Sequence, residues 1–370
     1  MKNTKIVIKT NSKSYPIFFG GNILGKTGYL IKKNLPKVKK IRIICDKKIP
    51  KIMVKKLSKS LGKYNTKIYK ISATEKIKNF SICQKLIENL LKDNLNRTDC
   101  IIAFGGGIVG DITAFVSSLV KRGIKFVNIP SILLSQVDSA IGGKTGVNSK
   151  QGKNLIGTFY QPELIIMDTT VLKSLTRREI ICGYAEILKH AIILDEKFFT
   201  WLKKNGKQII NNRNNRLLEF AIKKSCKIKS EIIKKDEKEK DLRMILNFGH
   251  TFAHGFEGAK NFTKKLNHGE AVLLGMIMAC LFSNKKKILS LKNLLLIKKH
   301  YFDLKLPMNI KKEFKKKEIN KIIHFMKKDK KNIDNKINLI LLKKIGNTTK
   351  PNSFSVKDTE IKKFLLSQFI

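Results

Sequence analysis

Short apolar runs alternate with helix-length segments through the first half of this sequence. Each run is only about five residues long, and most are apolar throughout. They occupy Ile41–Cys45, Lys67–Ile71, Cys100–Phe104, Lys125–Ile129 and Leu164–Met167. Strands buried on both faces have this composition, and strands separated by helices usually pair in parallel. The sequence therefore predicts a parallel sheet covered by helices on both faces.

The pattern changes after about Thr176, where the strand signal nearly disappears. The segments that carry helical spacing in this part are Glu179–Leu194, Arg216–Lys234, Asn247–Gly258 and Gly269–Phe282. We therefore divide the chain into an α/β domain with a Rossmann-like parallel sheet at 1–176 and a mainly α-helical domain at 177–370.

Smaller features complete the predicted elements. An N-terminal hairpin is expected from Lys5–Lys9 and Tyr15–Phe19, a helix at Phe80–Leu91, and one late hairpin around Ile337–Leu342. The run KKEFKKKEINK predicts a solvated helix face, and the run NNRNN at Asn211–Asn215 predicts a loop.

The chain of 370 residues is strongly basic, with 77 Lys and Arg against 28 Asp and Glu, a net charge of +49. Nucleic-acid binding is one interpretation. However, only eight of the 77 are Arg, the type that reads bases through two hydrogen bonds, and the lysines are spread along the chain. Lys, Asn and Ile have AT-rich codons, so we favour a compositional bias and expect no nucleic-acid partner. The positive field should still attract anionic substrates.

Cysteine spacing and hydropathy bear on location. The six cysteines are scattered without a CxxC pair, which indicates reduced thiols and a cytoplasmic protein. The longest apolar run, Ala271–Phe282, is too short for a membrane span of about 20 residues, so we expect no membrane partner. The N-terminus lacks the apolar region of an export signal.

A glycine-rich segment, GGGIVGD at Gly105–Asp111, follows a predicted strand and opens a predicted helix. Gly105, Gly107 and Gly110 match G-x-G-x-x-G, in which glycines let the backbone approach a pyrophosphate at a helix N-terminus. A tight turn that needs small residues is the alternative. Asp46, at the end of an earlier strand, is a candidate acceptor for ribose hydroxyls.

The segment Ser131–Asn154 is rich in Gly, Ser and Asn and carries Lys144 and Lys153. Many small and polar residues beside lysines are typical of a loop that binds an anion. A plain surface loop is the alternative interpretation.

Glu186 and Lys189 lie three residues apart on one predicted helix, and His250 and His254 lie four apart on another. His268 opens the next helix. One Glu and two His can form a catalytic zinc site with an open position. The residues leave two alternatives open: His250 and His254 both bind the ion, or one is a ligand and the other an acid/base.

Four runs together resemble the 3-dehydroquinate synthase family. They are GGGIVGDITAFVSSLVKRG, SQVDSAIGGKTGVN with GKNLIGTFYQP, GYAEILKHAII, and LNFGHTFAHGFE with HGEAV, in the family's order from about residue 100 to 275. The resemblance implies conversion of 3-deoxy-D-arabino-heptulosonate 7-phosphate to 3-dehydroquinate and phosphate. It also implies NAD+, a Zn²⁺ or Co²⁺ ion and a homodimer.

Site residues follow from the resemblance by motif. Metal ligands would be Glu186, His250 and His268, with His254 as acid/base or substrate-orienting residue. The substrate carboxylate and hydroxyls would meet Lys229, Arg243 and Asn247, with Lys189 beside the metal. The residues around the phosphate would be Lys144, Lys153, Asn154, Arg122 from a neighbouring subunit, and either Lys330 or Lys331.

The resemblance also implies an NAD site. Asp138 would help to orient the nicotinamide. The other residues would be Asp46, Glu75, Lys78, Gly107, Ile108, Val109, Gly110, Asp111, Ser131, Ile132, Lys144, Lys153, Val171, Leu172, Lys173 and Ser174. The sequence departs from the family at Ala73–Thr74, where Asp-Gly is usual, and at Ser131–Ile132, where Thr-Thr is usual.

Related sugar-phosphate cyclases, such as 2-deoxy-scyllo-inosose synthase, are the nearest alternative. They share NAD, metal and fold, but their substrates lack a carboxylate. The pair Lys229 and Arg243 therefore favours dehydroquinate synthesis.

Overall fold

The computed structural model describes residues 4–211, 214–263, 265–328 and 336–369, which form two compact units. The described residues of Met1–Glu179 and Asn215–Lys238 form unit 1, and those of Ile180–Asn214 and Glu239–Ile370 form unit 2. The division at residue 176 would place Asn215–Lys238 with the second domain, whereas the structure places this segment in unit 1.

The described strands are, in chain order, β1 (Thr4–Lys9), β2 (Ser14–Gly20), β3 (Lys40–Asp46), β4 (Asn65–Ile71), β5 (Cys100–Gly105), β6 (Lys125–Pro130), β7 (Val147–Ser149), β8 (Gly152–Ile156), β9 (Leu164–Asp168), β10 (Lys336–Asn338), β11 (Leu342–Lys344), β12 (Asn347–Thr348) and β13 (Ser355–Lys357).

The described α-helices are α1 (Thr27–Asn34), α2 (Lys51–Ser60), α3 (Phe80–Lys92), α4 (Gly107–Leu119), α5 (Arg177–Leu194), α6 (Glu196–Ile210), α7 (Asn215–Lys235), α8 (His250–Ala259), α9 (His268–Lys285), α10 (Leu291–Asp303), α11 (Ile319–Lys327) and α12 (Asp358–Ser367). Among the residues described, no helix is both long and apolar enough to cross a membrane.

Unit 1 is built on a seven-stranded sheet in the order β1-β2-β9-β6-β5-β3-β4. β1 and β2 form the expected antiparallel hairpin, and β2 and the five other strands pair in parallel. The chain runs from β3 outward to β4 and then returns to place β5 on the other side of β3. The order therefore reverses between β3 and β5, which is where ligands bind in sheets of this type.

Alternate residues of the central strands enter two different cores. Ile43 of β3 and Ile102 of β5 belong to a cluster with residues of α1 and α2. Ile44 and Ile101 point to the opposite face, where they pack with residues of α3 and α4. Full burial of each such side chain contributes about 1.5–3 kcal/mol. The predicted α/β class with a Rossmann-like parallel sheet is confirmed.

Helix α7 packs on unit 1, against β1 and the turns Ser135–Ser139 and Thr169–Ser174. Its residues Leu218, Ile222 and Cys226 are fully buried or nearly so. Helical periodicity predicted the bounds of this helix to within one residue at each end. Periodicity does not show, however, against which unit the apolar face of a helix packs.

Unit 2 is mainly helical, as expected, with two small sheets that pair β10 with β13 and β11 with β12. The late hairpin predicted around Ile337–Leu342 is therefore wrong. Leu339 and Leu341, between β10 and β11, are buried, so the apolar run passes from one small sheet into another. The turn of the actual hairpin is at Gly346, where φ is 87° and glycine is favoured.

Three further segments bear on the predictions. Helix α8 begins at His250 rather than Asn247, because a 3₁₀ segment, Leu242–Asn247, and Gly249 with φ 77° precede it. The lysine-rich run is not one solvated helix face, since it contains a 3₁₀ turn at Lys316–Glu318 and the buried Phe314. Part of the NNRNN run, at 212 and 213, lies outside the described residues.

Candidate active site

The residues expected to bind NAD cluster in the fold because most of them follow the carboxyl ends of parallel strands. Asp46 ends β3, and Glu75–Lys78 follows β4. Gly107–Asp111 opens α4 after β5, Ser131 follows β6, and the segment Val171–Ser174 follows β9. Parallel strands end at one edge of the sheet, so these five segments share that edge. Their placement fits a nucleotide site in unit 1.

The glycine segment makes a sharp turn from β5 into α4. A Cβ on Gly105 would lie 2.5 Å from a Val109 methyl group, so a side chain does not fit there. The Ser131 amide donates to the Gly105 carbonyl over 2.8 Å, which joins the ends of β5 and β6. The tight-turn interpretation therefore holds for Gly105. It is compatible with anion binding, since the first amides of α4 have no acceptors within the helix.

Lys78 is the centre of a polar network beside this turn. Its buried Nζ donates to Asp111 Oδ2 over 2.6 Å and also to Asn154 Oδ1. Burial raises the pKa of Asp111, and the Lys78 ammonium opposes that shift. The network thus joins two residues expected at NAD, Lys78 and Asp111, to one expected at phosphate, Asn154.

Asn148 extends the network and was not singled out from the sequence. Its Nδ2 donates to Glu75 Oε2 over 2.8 Å, and its Oδ1 accepts from the Asn154 amide over 3.0 Å. Lys153 Nζ lies 3.9 Å from Glu75 Oε1. The sequence feature that could have identified Asn148 as a site residue is its position at the end of the GKTGVN run.

Three other residues of unit 1 have distinct surroundings. Lys229 Nζ donates to Asp138 twice, over 2.7 Å to Oδ1 and 2.6 Å to the carbonyl, so its charge is already balanced. Lys144 is exposed. Arg122 is also exposed and has a φ of 60°, within a left-handed stretch that runs from Lys121 to Gly123.

A carboxylate and two imidazoles meet inside unit 2. Glu186, His250 and His268 each offer a ligand atom, and these atoms lie within 4.8 Å of one another. His250 Nε2 is 3.7 Å and His268 Nε2 is 3.9 Å from Glu186 Oε1. Ligands of a tetrahedral zinc ion are about 3.3 Å apart, so small movements would complete the site.

The carboxylate of Glu186 fits a cation. Its side chain is fully buried, and neither oxygen accepts a hydrogen bond from the described residues. Lys189, one turn along α5, forms an ion pair with Oε2 that lacks hydrogen-bond geometry. A buried carboxylate needs partners to offset its lost hydration, and a divalent ion would supply them.

Close helix contacts at glycines bring these ligands together. A Cβ on Gly275 of α9 would lie 2.1 Å from the Gly249 carbonyl, immediately before His250. A Cβ on Gly269, beside His268, would lie 2.3 Å from Cα of Cys182, one turn before Glu186 on α5. Larger residues would separate the backbones and with them the three ligands.

Each histidine of the cluster meets an oxygen through Nδ1. His250 Nδ1 is 3.3 Å from the Phe248 carbonyl, and His268 Nδ1 is 3.5 Å from Glu257 Oε2. Burial lowers the pKa of His268, but the carboxylates of Glu257 and Glu186 together oppose it, and the pKa is raised overall. The Nε2 atoms of both rings therefore face Glu186. Glu257 was not identified from the sequence, although it stands within the LNFGHTFAHGFE run.

Three other residues of unit 2 expected at the site lie close to His250 along the chain. His254 is not a member of the three-residue group, and its ring centroid is 5.8 Å from that of His250. Asn247 Nδ2 donates over 3.0 Å to Glu239, a carboxylate that the sequence analysis missed. Arg243 is buried. Lys330 and Lys331 lie outside the described residues.

A parallel α/β sheet with a glycine turn at its carboxyl edge, in a chain that also carries a Glu-His-His cluster, is typical of one class. The class is that of metal-dependent enzymes that use a nucleotide cofactor.

The comparisons with known proteins name the family. Residues 68–182 match the family described as 3-dehydroquinate synthase N-terminal, and residues 183–332 match 3-dehydroquinate synthase C-terminal. A 3-dehydroquinate synthase of Pelagibacter ubique (strain HTCC1062) is 51% identical over 353 residues, covering 95% of this chain and 96% of that protein. This chain belongs to the 3-dehydroquinate synthase family.

Solved structures show the same fold. 2-Deoxy-scyllo-inosose synthase, in complex with carbaglucose-6-phosphate, NAD+ and Co²⁺, has a TM-score of 0.85 at 24% identity, over 98% of this chain and 99% of that one. ValA, the 2-epi-5-epi-valiolone synthase of Streptomyces hygroscopicus subsp. jinggangensis 5008 with NAD+ and Zn²⁺ bound, has the same TM-score, identity and coverage.

Proposed function

We propose that this chain is a 3-dehydroquinate synthase, which converts 3-deoxy-D-arabino-heptulosonate 7-phosphate to 3-dehydroquinate and phosphate. The reaction proceeds by transient oxidation of a substrate alcohol, elimination of phosphate, reduction of the ketone, ring opening and aldol closure. Relatives with this name cover nearly the whole chain. The observation that carries the proposal is the Glu186–His250–His268 cluster within a chain of this family.

Two groups from outside the chain belong to this chemistry. The buried Glu186 and the two Nε2 atoms fit Zn²⁺ or Co²⁺, and the carboxyl edge of the sheet fits NAD+. When bound, NAD+ supplies reversible hydride transfer, and the divalent ion lowers the pKa of a bound hydroxyl. The fold neighbours named above carry NAD+ with Co²⁺ or Zn²⁺.

The residues of unit 2 would bind the reacting part of the substrate. Glu186, His250 and His268 hold the ion. His254 exchanges protons with the substrate, a task suited to an imidazole near neutral pH. Arg243 and Asn247 bind the carboxylate and hydroxyl groups, and Lys189 balances the charge of Glu186.

The residues of unit 1 would bind the phosphate and the nucleotide. Lys144, Lys153, Asn154 and Arg122 bind the phosphate, for which they supply charge-assisted donors. Asp138 orients the nicotinamide and holds Lys229 until the substrate carboxylate competes for it. The remaining NAD contacts come from the strand-end segments already described.

The first test is phosphate release from 3-deoxy-D-arabino-heptulosonate 7-phosphate, with absorbance at the NADH band followed in parallel. We expect release of phosphate that a chelator abolishes and added Zn²⁺ or Co²⁺ restores, with no net NADH. Net accumulation of NADH would show an ordinary dehydrogenase instead. Absence of turnover with NAD+ and either metal would contradict the proposal.

Another sugar-phosphate cyclase activity, of the 2-deoxy-scyllo-inosose synthase type, is the second candidate, because that enzyme shares the fold. Its discriminating feature is the buried Arg243, a guanidinium suited to the carboxylate that only the seven-carbon acid carries. Phosphate release from a six-carbon sugar phosphate, but not from the seven-carbon acid, would favour this candidate.

We also propose a homodimer that works in the cytoplasm. All six cysteines are free, which suits a reducing compartment. Unit 1 exposes Leu119, Leu155, Ile156 and Phe159, and the hydrogen bond between Thr158 and Ser118 holds the first and last of these close together. Arg122 lies three residues beyond Leu119. A second copy would cover this apolar surface and bring its Arg122 with it.

Mixing two inactive variants tests the dimer. If Arg122 acts in the partner's site, Arg122→Ala and His254→Ala subunits in equal amounts should recover about a quarter of the parent activity, because half the dimers are mixed and each has one intact site. Sedimentation should show a dimer that Phe159→Glu disrupts. No recovery would place Arg122 in its own subunit's site, and a monomeric parent would contradict the dimer.

A further inference from the structure

We propose that Glu257 is a positioning residue that fixes the ring orientation and tautomer of His268, so that Nε2 of His268 faces the cation. The inference rests on the proposed function, because it takes Glu186, His250 and His268 as the metal ligands. Glu257 is not a ligand in this proposal, and it acts only through the imidazole of His268.

The two nitrogens of His268 face two different carboxylates. Nε2 is 3.9 Å from Glu186 Oε1, inside the ligand cluster, and Nδ1 is 3.5 Å from Glu257 Oε2 on the other side of the ring. A ring in this position that donates from Nδ1 to Glu257 must keep the Nε2 lone pair for a cation. The pair becomes a carboxylate–histidine–metal arrangement, in which the outer carboxylate raises the electron donation of the ligand.

Helix α8 places Glu257 by simple periodicity. Glu257 follows His254 by three residues and His250 by seven, so all three lie along one face of the helix. That face meets the start of α9, since Glu257 Oε2 lies 3.5 Å from Nδ1 of His268, the first residue of α9. The Glu257 side chain is only 12% exposed and therefore acts where water competes little.

The two proposed histidine ligands differ in the oxygen that lies beside Nδ1. His250 has a backbone carbonyl, that of Phe248, 3.3 Å from its Nδ1. His268 is the first residue of α9, where the positive end of the helix dipole withdraws electron density from the ring. A carboxylate at Nδ1 opposes that effect as well as orienting the ring. This is the physical reason for an acid, rather than a neutral acceptor, at position 257.

The experiment measures metal binding by the whole apoprotein. Zn²⁺ affinity is determined by competition with a chromophoric chelator for the parent, Glu257→Gln and Glu257→Ala. We expect affinity to fall about 10- to 100-fold in Glu257→Ala, the usual effect of losing such an outer partner. Glu257→Gln keeps an acceptor without the charge and should lose less. The visible absorption bands of bound Co²⁺ should shift in both variants, which a loss of general stability would not cause.

Glu318→Gln is the matched control. Glu318 is also a partly buried carboxylate of unit 2 in an ion pair, 3.1 Å from Lys260 Nζ, but it accepts from the Lys315 amide in the 3₁₀ turn before α11 and is not among the converging ligand groups found in the described residues. This variant should keep parental zinc affinity and the parental Co²⁺ spectrum. Thermal unfolding of each apoprotein verifies that it is folded, and Glu257→Gln carries the test if Glu257→Ala does not fold.

A double-mutant cycle separates an action through His268 from an independent one. In a His268→Ala background, Glu257→Ala should have no further effect on residual zinc affinity. Equal effects with and without His268, or unchanged affinity and Co²⁺ bands in both Glu257 variants, would overturn the proposal. A parent that releases phosphate and binds zinc would then leave the proposed function intact. A parent that binds no zinc would overturn both.

Discussion

His250 and His254 lie on the same helix face but differ in what surrounds them. The spacing of four residues suits joint binding of one ion, and the sequence left that alternative open. In the structure, His268 from another helix joins His250 and Glu186 in the group whose ligand atoms converge. Contact between helices, which periodicity within one helix does not show, therefore favours the alternative in which His250 is a ligand and His254 is not.

This difference gives a prediction for two single variants. His268→Ala should lose bound zinc and activity together, because two ligands remain. His254→Ala should retain stoichiometric zinc, and its kcat should fall about 10²- to 10⁴-fold, the usual contribution of an acid/base group. Metal analysis after dialysis, together with the phosphate-release assay, measures both. Loss of zinc from His254→Ala would restore the joint-ligand alternative.

His300 gives a prediction about pH. The ring is buried on α10, where Nε2 is 2.9 Å from the Tyr184 hydroxyl. Burial lowers the pKa of His300 to about 4 from 6.5. The unfolded chain takes up a proton below pH 6.5 while the folded protein resists until about pH 4, so stability falls as pH falls through this window.

Replacing the residue should remove that dependence. From pH 6.5 to pH 4, the parent's free energy of unfolding should fall by about 3 kcal/mol more than that of His300→Gln. Urea unfolding of the apoproteins measures this difference. His324→Gln, at an exposed position, is the control and should follow the parent. Parallel pH curves for His300→Gln and the parent would contradict the assignment.

Sequence patterns located most elements of this fold but not all of their partners. Five parallel strands and the principal helices were found close to their observed bounds, because apolar periodicity is a local signal. The strand at Lys67–Ile71 is nevertheless the exposed edge strand β4 rather than a buried one. The late hairpin was wrong, since pairing of β10 with β13 depends on residues far along the chain. The motif runs likewise contained Glu257 and Asn148, and Glu239 lies shortly before one of them, but their contacts come from tertiary packing that one sequence does not display.

At the level of elements, the contact between α8 and α9 leads to a prediction for Gly275. A methyl group there would meet the Gly249 carbonyl at 2.1 Å, so Gly275→Ala should separate the helices at His250. We expect a loss of about 1–3 kcal/mol of stability, typical of overpacking, and weaker zinc binding as well. Urea unfolding and chelator competition measure the two effects.

Gly62→Ala is the comparison for this variant. Its added Cβ would lie 3.5 Å from the Lys59 carbonyl, an ordinary contact in the turn after α2. That variant should keep parental zinc affinity and nearly parental stability. Equal behaviour of the two alanine variants would show that α8 and α9 tolerate separation.

At the level of the whole molecule, the net charge of +49 acts on the folded state. Like charges held close together repel, and added salt screens them over about 10 Å at 0.1 M ionic strength. We therefore expect Tm to rise as NaCl increases from low concentration. Since screening depends on ionic strength, KCl and NaCl should act equally in a calorimeter. A constant or falling Tm would show that ion pairs outweigh the repulsion.

At α7 the chain returns from unit 2 to unit 1, and this order of segments has a consequence for synthesis on the ribosome. Unit 1 includes Asn215–Lys238, yet residues 180–211 of unit 2 precede that segment. Because proteins emerge N-terminus first, the sheet with its nucleotide edge is made early but lacks one of its covering helices until residue 238 has left the exit tunnel. A nascent chain stalled before α7 would expose the apolar surface that Leu218 and Ile222 later cover. Chaperones should therefore bind nascent chains stalled before α7 more strongly than chains stalled after it.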